Sequence, residues 1–408
     1  MAITIQSSPA PYSSMHDSLW YVSSSTNVNQ TSFKFVYDVY VNGSQVSRTK
    51  IYPAPSAEGS YGVFDASPMV RAYVTNYFEP SGSSILVASN DKIKVDATIK
   101  VGEEYVSGGN LLTNLNLASG ALSAYNYYNP LFADILFTNA DTPLVLSDYY
   151  DNLLIENFTD DWLTERDVDN ITIEYGDIFY ATFFRVTTGS YSAKIDVVNE
   201  AGSVVDTASG SITFSGQMNI FNCSAANINT FAGRTLISSS TYGYNVYIKL
   251  GTAESRKLKF IQKCYPKYKQ FNLNFLNRLG GWDTMKFALV NRRSSEFQRS
   301  NYKRNDWQLS GSTMTNIDAY NKYNESTISY AIQHKDMFHL ISDWVSQQDY
   351  EWLAQLVASP IVYIEVQGAY FPVVISNNNY QYKLESADKL FNFEIDIEVS
   401  KYLNSQFR

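Results

Sequence analysis

The chain has 408 residues, 45% of them hydrophobic, and a formal net charge of −9 at pH 7. That length exceeds one ordinary domain and predicts two or three, and the acidic balance argues against bulk nucleic-acid binding. No apolar run approaches the roughly 18–20 residues of a membrane span, and the opening MAITIQSSPAPYSS lacks the basic and apolar regions of a secretory signal.

Tyrosine is the outlier: 32 Tyr stand beside 23 Phe. Each couples a large apolar body to a polar tip, which suits half-wet strands and protein interfaces. Aromatic and β-branched residues favour sheets. The expectation is a mainly β chain of multi-domain, β-sandwich-type units with a few short helices.

Residues 1–31 read as extended and loop-like, either an N-terminal arm that lies on a neighbouring subunit or a loose terminus tied down by Leu19-Trp20-Tyr21. Phe33, Phe35, Tyr37, Val39 and Val41 then alternate with polar neighbours, and Asn42-Gly43 is a strong hairpin signal that predicts a partner strand over Gln45–Tyr52. A short helix follows, with Ser67 as cap, Pro68 in the first turn, and Val70, Tyr73, Val74, Tyr77 and Phe78 on one face. Ile93 to Val101 alternates as a strand, while Leu111–Tyr150 reads as a long ordered loop between short strands. These residues make a first β domain, 1–155.

Residues 148–177 are acidic and read as a linker. Short strands resume over Ile171–Glu174, Ile178–Val186, Tyr191–Val198, Ser203–Thr207, Ser211–Phe214 and Tyr244–Leu250. That density predicts an immunoglobulin-like sandwich, 156–256, without the Cys…Trp…Cys pattern of antibody domains. A third β domain, 257–408, opens with a hairpin in which Phe271, Leu273 and Phe275 alternate, Leu279-Gly280-Gly281 turns, and Trp282–Leu289 returns. A polar, arginine-rich arm comes next. Ser346 starts a helix that carries Tyr350, Leu353, Leu356 and Val357 inward and stops before Pro360. Strands are expected over Ile361–Val366, Tyr370–Ile375, Tyr380–Leu384 and Phe391–Val399.

Catalytic patterns are missing. The three histidines, His16, His334 and His339, form no HExxH, and there is no GxSxG, phosphate loop or CxxC. Cys223 and Cys264 read as small buried residues, reduced in a chain made in the cytosol. Asp167 and Asp169 are spaced like the first ligands of a calcium loop, but Thr172 stands where the loop needs glycine. A spatial carboxylate pair among the acids stays open. No cofactor or metal is expected, and the chain reads as no enzyme.

Charge is uneven. From Arg256 to Arg304 thirteen Lys/Arg face two acids, Asp283 and Glu296, a local +11 that leaves −20 on the rest. Arg278, Trp282, Arg292, Arg293, Arg299, Lys303, Arg304 and Trp307 are the candidate interaction residues, with Phe297 and Tyr302 interleaved. Their leading reading is subunit docking onto the acids Asp160, Asp161, Glu165, Asp167 and Asp169 of a neighbouring copy, a heterologous contact that closes a ring. A solvated loop and a DNA contact by guanidinium forks and aromatic stacking are the alternatives.

The same stretch carries a resemblance. FLNRLGGWDTMKF, with KCYPKY before it and RRSSEFQRSNYKRN after it, resembles virion proteins of tailed phages that infect Bacteroidetes, the crAss-like phages among them. The opening PAPYSSMHDSLWYVSSSTN and the ending FEIDIEVSKYLNSQFR fit that likeness. It implies a structural component of the tail, head-to-tail connector or baseplate, made in the host cytoplasm and assembled in the virion. Such a part forms a ring, of six or twelve copies, beside other tail or portal proteins. A carbohydrate- or receptor-binding protein of the tail or bacterial surface is the competing reading, since Tyr and Trp stack on sugars.

Overall fold

The computed structural model describes residues 3–9, 12–76, 78, 80, 82–126, 160–263, 268–305, 307–317, 325–376, 391–400 and 403–407. The run after Asn126, Cys264, Tyr77 and the strand expected over Tyr380–Leu384 lie outside them. The chain is mainly β, with several sheets and four short helices among the described residues. Contacts group it into two compact units: Met1–Cys264 with Leu276–Asp283, and Tyr265–Phe275 with Thr284–Arg408.

The first unit opens with β1 (Ile3–Ser7), β2 (Tyr12–Ser14), β3 (Trp20–Ser25), β4 (Thr31–Val41), β5 (Ser44–Ile51), β6 (Ala54–Ser56) and β7 (Gly59–Asp65). Helix α1 (Ser67–Arg71), β8 (Leu86–Asn90), β9 (Lys94–Ser107) and β10 (Asn110–Tyr125) follow. Two sheets, β1-β3-β7-β6 and β2-β10-β9-β4-β5, share one core of Tyr21, Phe35, Tyr37, Phe64, Val95 and Ile99. Burying each such side chain contributes about 1.5–3 kcal/mol. Asn42 (φ 47°) and Gly43 (φ 81°) make the left-handed pair that the β4–β5 turn needs. Two expectations change here. Ser67 lies inside α1, and Asp65 takes the capping role, accepting from the Ser67 N–H (2.9 Å) and hydroxyl (3.0 Å). The supposed loop from Leu111 is strand β10, paired along β9 through the Gly108-Gly109 turn. Its Asn, Ser, Ala and Gly residues give no periodic signal, and β9 supplies the register.

The second half of this unit is another sandwich. Its strands are β11 (Asp161–Trp162), β12 (Ile171–Ile173), β13 (Tyr180–Phe184), β14 (Tyr191–Val198), β15 (Val204–Ile212), β16 (Met218–Asn222), β17 (Gly243–Leu250), β18 (Ala253–Glu254) and β19 (Leu258–Gln262), with α2 (Ala225–Ala232) after β16. One sheet runs β11-β13-β16-β8, the other β12-β19-β17-β14-β15 with β18 on β17. Trp162, Phe183 and Phe221 pack edge to face at 5.2–6.3 Å in the shared core. The two strands expected over 203–214 are the single strand β15. Gly210 is no turn: it admits Phe231 of α2, whose ring a Cβ there would meet at 2.7 Å.

The second unit holds β20 (Phe271–Leu276), β21 (Trp282–Phe287), β22 (Arg292–Lys303), β23 (Trp307–Ser310), β24 (Thr313–Ile317) and β25 (Thr327–Ile341). Helices α3 (Gln347–Trp352) and α4 (Ala354–Ala358) precede β26 (Val362–Val366), β27 (Ala369–Ile375), β28 (Glu394–Val399) and β29 (Leu403–Phe407). The sheet order is β21-β20-β26-β27-β28-β25-β22, with β29 also on β25 and β23-β24 as a separate hairpin. Ser346 caps α3, its hydroxyl accepting from the Asp349 N–H at 3.1 Å. Tyr350, Trp352, Leu353 and Leu356 then bury against Phe275, Phe391 and Ile395. The polar arm of the sequence reading is strand β22. It escapes detection because every one of its residues is exposed, so neither face shows an apolar period.

Candidate interaction surface

Strand β22 pairs antiparallel with β25 from Arg292↔His339 to Lys303↔Thr327, and among the described residues it ends the sheet with its other edge open. Open edges are pairing templates that proteins guard with charge. Side chains alternate. Arg293, Ser295, Phe297 and Arg299 share one face, and Arg292, Ser294, Glu296 and Gln298 the other.

On the first face Arg293 donates to the Asp336 carboxylate at 2.7 Å and lies 5.9 Å from the Phe338 ring centre. Ser295 donates to the other Asp336 oxygen at 2.7 Å. The Ser295 hydroxyl, then the Arg293 guanidinium, hold the Asp336 carboxyl below its usual range. Phe297 stacks on His334 at 5.7 Å and is still 57% exposed. Arg292, Arg299 and Lys303 make no ion pair among the described residues. Beyond them Tyr302 lies 6.1 Å from Tyr330, and Trp307 stands exposed on β23. The result is an exposed ribbon of unpaired cations and half-exposed rings. The Arg304 N–H closes it by donating to the Ser326 carbonyl at 2.9 Å.

The other expected site residues are elsewhere. Residues Leu276–Asp283, the hairpin turn, group with the first unit. There Trp282 is fully buried, its ring 4.5 Å from that of Phe78, and its backbone N–H donates to the Thr182 hydroxyl at 2.7 Å. Arg278 pairs with Glu165 through one guanidinium edge, Nε and Nη2 each donating to one carboxylate oxygen. Trp282 is therefore a core residue and Arg278 an internal partner, and neither lies free for docking.

The acids divide similarly. Asp160 is fully buried and accepts from the Val186 N–H (2.5 Å), the Thr187 N–H (2.9 Å) and the Tyr191 hydroxyl (2.5 Å). Burial and this carboxylate push the Tyr191 hydroxyl far above the usual tyrosine range. Asp161 pairs with Arg256 at 2.5 Å and Asp169 with Lys259 at 2.7 Å. Asp167 accepts from the Asp169 N–H at 2.9 Å and so shapes its own loop. A buried carboxylate and acids already matched to bases of their own unit do not form a free acidic face. Local sequence could not show this, since Arg256, Lys259 and Arg278 arrive from about 90 to 113 residues away.

Sequence reasoning missed β25, which supplies Asp336, His334 and Tyr330. The interrupted polar alternation of TISYAIQHKDMFHLI was the available signal. Among the described residues no group of three His, Cys, Asp or Glu side chains gathers as a metal site, and no helix is long and apolar enough to cross a membrane. No protein-family model matches this chain, and no curated protein matches it.

Proposed function

We propose that the protein is a non-enzymatic structural component of a phage virion that assembles with copies of itself into a ring of the tail, connector or baseplate. The observation that carries the reading is the β22 ribbon, an open 12-residue edge bearing Arg292, Arg299 and Lys303 without ion pairs beside exposed Phe297, Tyr302 and Trp307. Aromatic and arginine residues are the side chains that dominate protein interfaces. Unpaired cations on an acidic chain give a second copy a charged approach, which sets encounter rate and register more than affinity.

The docking residues are then Arg292, Arg299, Lys303 and Trp307. Arg293 contributes by fixing the ribbon through Asp336. Reversing Arg292, Arg299 and Lys303 to Glu tests the reading. Loss of assembly with an unchanged melting curve is expected, and unchanged assembly removes it.

A second reading, a glycan- or receptor-binding protein of the tail, draws on Trp344, which is 62% exposed, and on Trp20 and Tyr52. A glycan screen on the purified chain separates the two.

A further inference from the structure

We infer that the core of the first sandwich is a binding site for a water molecule, held between the hydroxyls of Ser23 and Tyr37. The starting observation is a set of buried polar atoms without partners. Tyr21, Ser23 and Tyr37 are each 0% exposed, and no protein group bonds any of their three hydroxyls. Buried polar groups of folded proteins are nearly always satisfied, by protein or by ordered water.

The geometry brings two of the three together. On the inner face of one sheet, Ser23 of β3 stands opposite Gly62 of β7, and the next inner pair is Tyr21 opposite Phe64. Tyr37 rises from β4 of the facing sheet, and its ring stacks on Phe64 at 4.7 Å. Its hydroxyl reaches the place that a side chain at Gly62 would fill. A Cβ there would lie 2.6 Å from the Tyr37 oxygen and 2.6 Å from the Phe35 ring. Ser23, the cross-strand neighbour of Gly62, therefore stands beside that oxygen. Burial raises the pKa of the Tyr37 hydroxyl, and the nearby Ser23 hydroxyl acts against it. The two oxygens are neighbours that do not bond each other.

Water fits this place. A hydroxyl both donates and accepts, so one water donates to one of the pair and accepts from the other. Two polar partners are the minimum that a buried water takes. Ser23 and Gly62 have the smallest side chains in a row otherwise built of Tyr21, Phe64, Phe35 and Tyr37, so the recess they leave suits water and no organic ligand. Through that water Tyr37 ties its own sheet to β3 of the other. A phenylalanine at position 37 would keep the stacking on Phe64 and lose the tie.

The test is a crystal structure of the full chain at a resolution that shows ordered water, with melting curves of Tyr37→Phe, Ser23→Ala and the double variant. The expected result is a density peak at hydrogen-bonding distance from both oxygens, about 2.5–3.0 Å. Each single variant should melt a few degrees lower than wild type. The double variant should lose less than the two single losses combined, because both remove the same water. A site without a peak, or Ser23 bonded directly to Tyr37, overturns the inference. A Tyr37→Phe protein that melts higher than wild type overturns it as well, since that is the outcome for a dry, unpaired hydroxyl. The self-assembly reading concerns β22 and stands or falls apart from these results.

Discussion

Arg278 grips Glu165 with the Nε–Nη2 edge of its guanidinium across 113 residues of sequence. The pair lies within the first unit and is only partly exposed, 16% and 27% by side chain. It turns one cation of the basic stretch into a fixture of the fold. Arg299, in the same stretch, has no such partner among the described residues. Arg278→Ala is expected to cost about 1.5–3 kcal/mol in urea unfolding and to leave the assembled mass unchanged. Arg299→Glu is expected to do the reverse, with stability within about 0.5 kcal/mol of wild type.

Asn277 organises the turn beside that pair. Its amide donates to the Leu163 carbonyl (2.6 Å) and to Asp283 (3.0 Å), and its oxygen accepts from the N–H groups of Leu279 (3.0 Å) and Gly281 (2.9 Å). Asn277→Ala leaves these buried partners short of bonds. A loss of about 3 kcal/mol or more is expected by denaturant titration. A loss under 1 kcal/mol would show that the turn is held by other means.

Gly280 has φ +82°, and a Cβ there would lie 2.3 Å from the Asn126 carbonyl oxygen. Backbone cannot yield as a flexible side chain does. Gly280→Ala is expected to cost at least about 2 kcal/mol. Gly43→Ala meets no atom within 4 Å and should cost about 1 kcal/mol, from its φ of +81° alone. Melting curves of the two variants compare the steric and torsional contributions.

Strands with an apolar face were legible. Phe33 to Val41 and Tyr191 to Val198 show the period of two, and Asn42-Gly43 names its own turn. The capped helix at Ser346 was legible for the same local reason. What escaped depends on partners distant in sequence. Strand β10 takes its register from β9, β22 lies exposed on both faces, and β8 joins the second sandwich by pairing with β16 about 130 residues on. At the candidate site, Arg292, Arg299 and Lys303 were found by charge alone. Charge could not tell them from Arg278, because only the fold brings Glu165 alongside. The buried Asp160 likewise looked like any surface acid until Tyr191 and two backbone N–H groups were placed around it.

The buried tyrosines give an alkaline signature. Burial pushes the Tyr37 hydroxyl up to about 12 and raises those of Tyr21 and Tyr247 above their usual range. An unfolded tyrosine titrates near 10. A raised folded value means the neutral form is favoured in the fold. The stabilisation is therefore complete below pH about 10 and is lost as pH rises through 12. Unfolding is expected in that window, with these phenols ionising together with loss of structure in an ultraviolet titration. Phenols that ionise near 10 while circular dichroism stays native would contradict their burial.

The most direct measurement is the solution mass of the purified chain by light scattering at low and at high salt. A closed multiple of 46.1 kDa at low salt that dissociates as salt rises is the expected result, since screening weakens contacts built on Arg292, Arg299 and Lys303. A monomer at both salts would contradict self-assembly through the β22 ribbon.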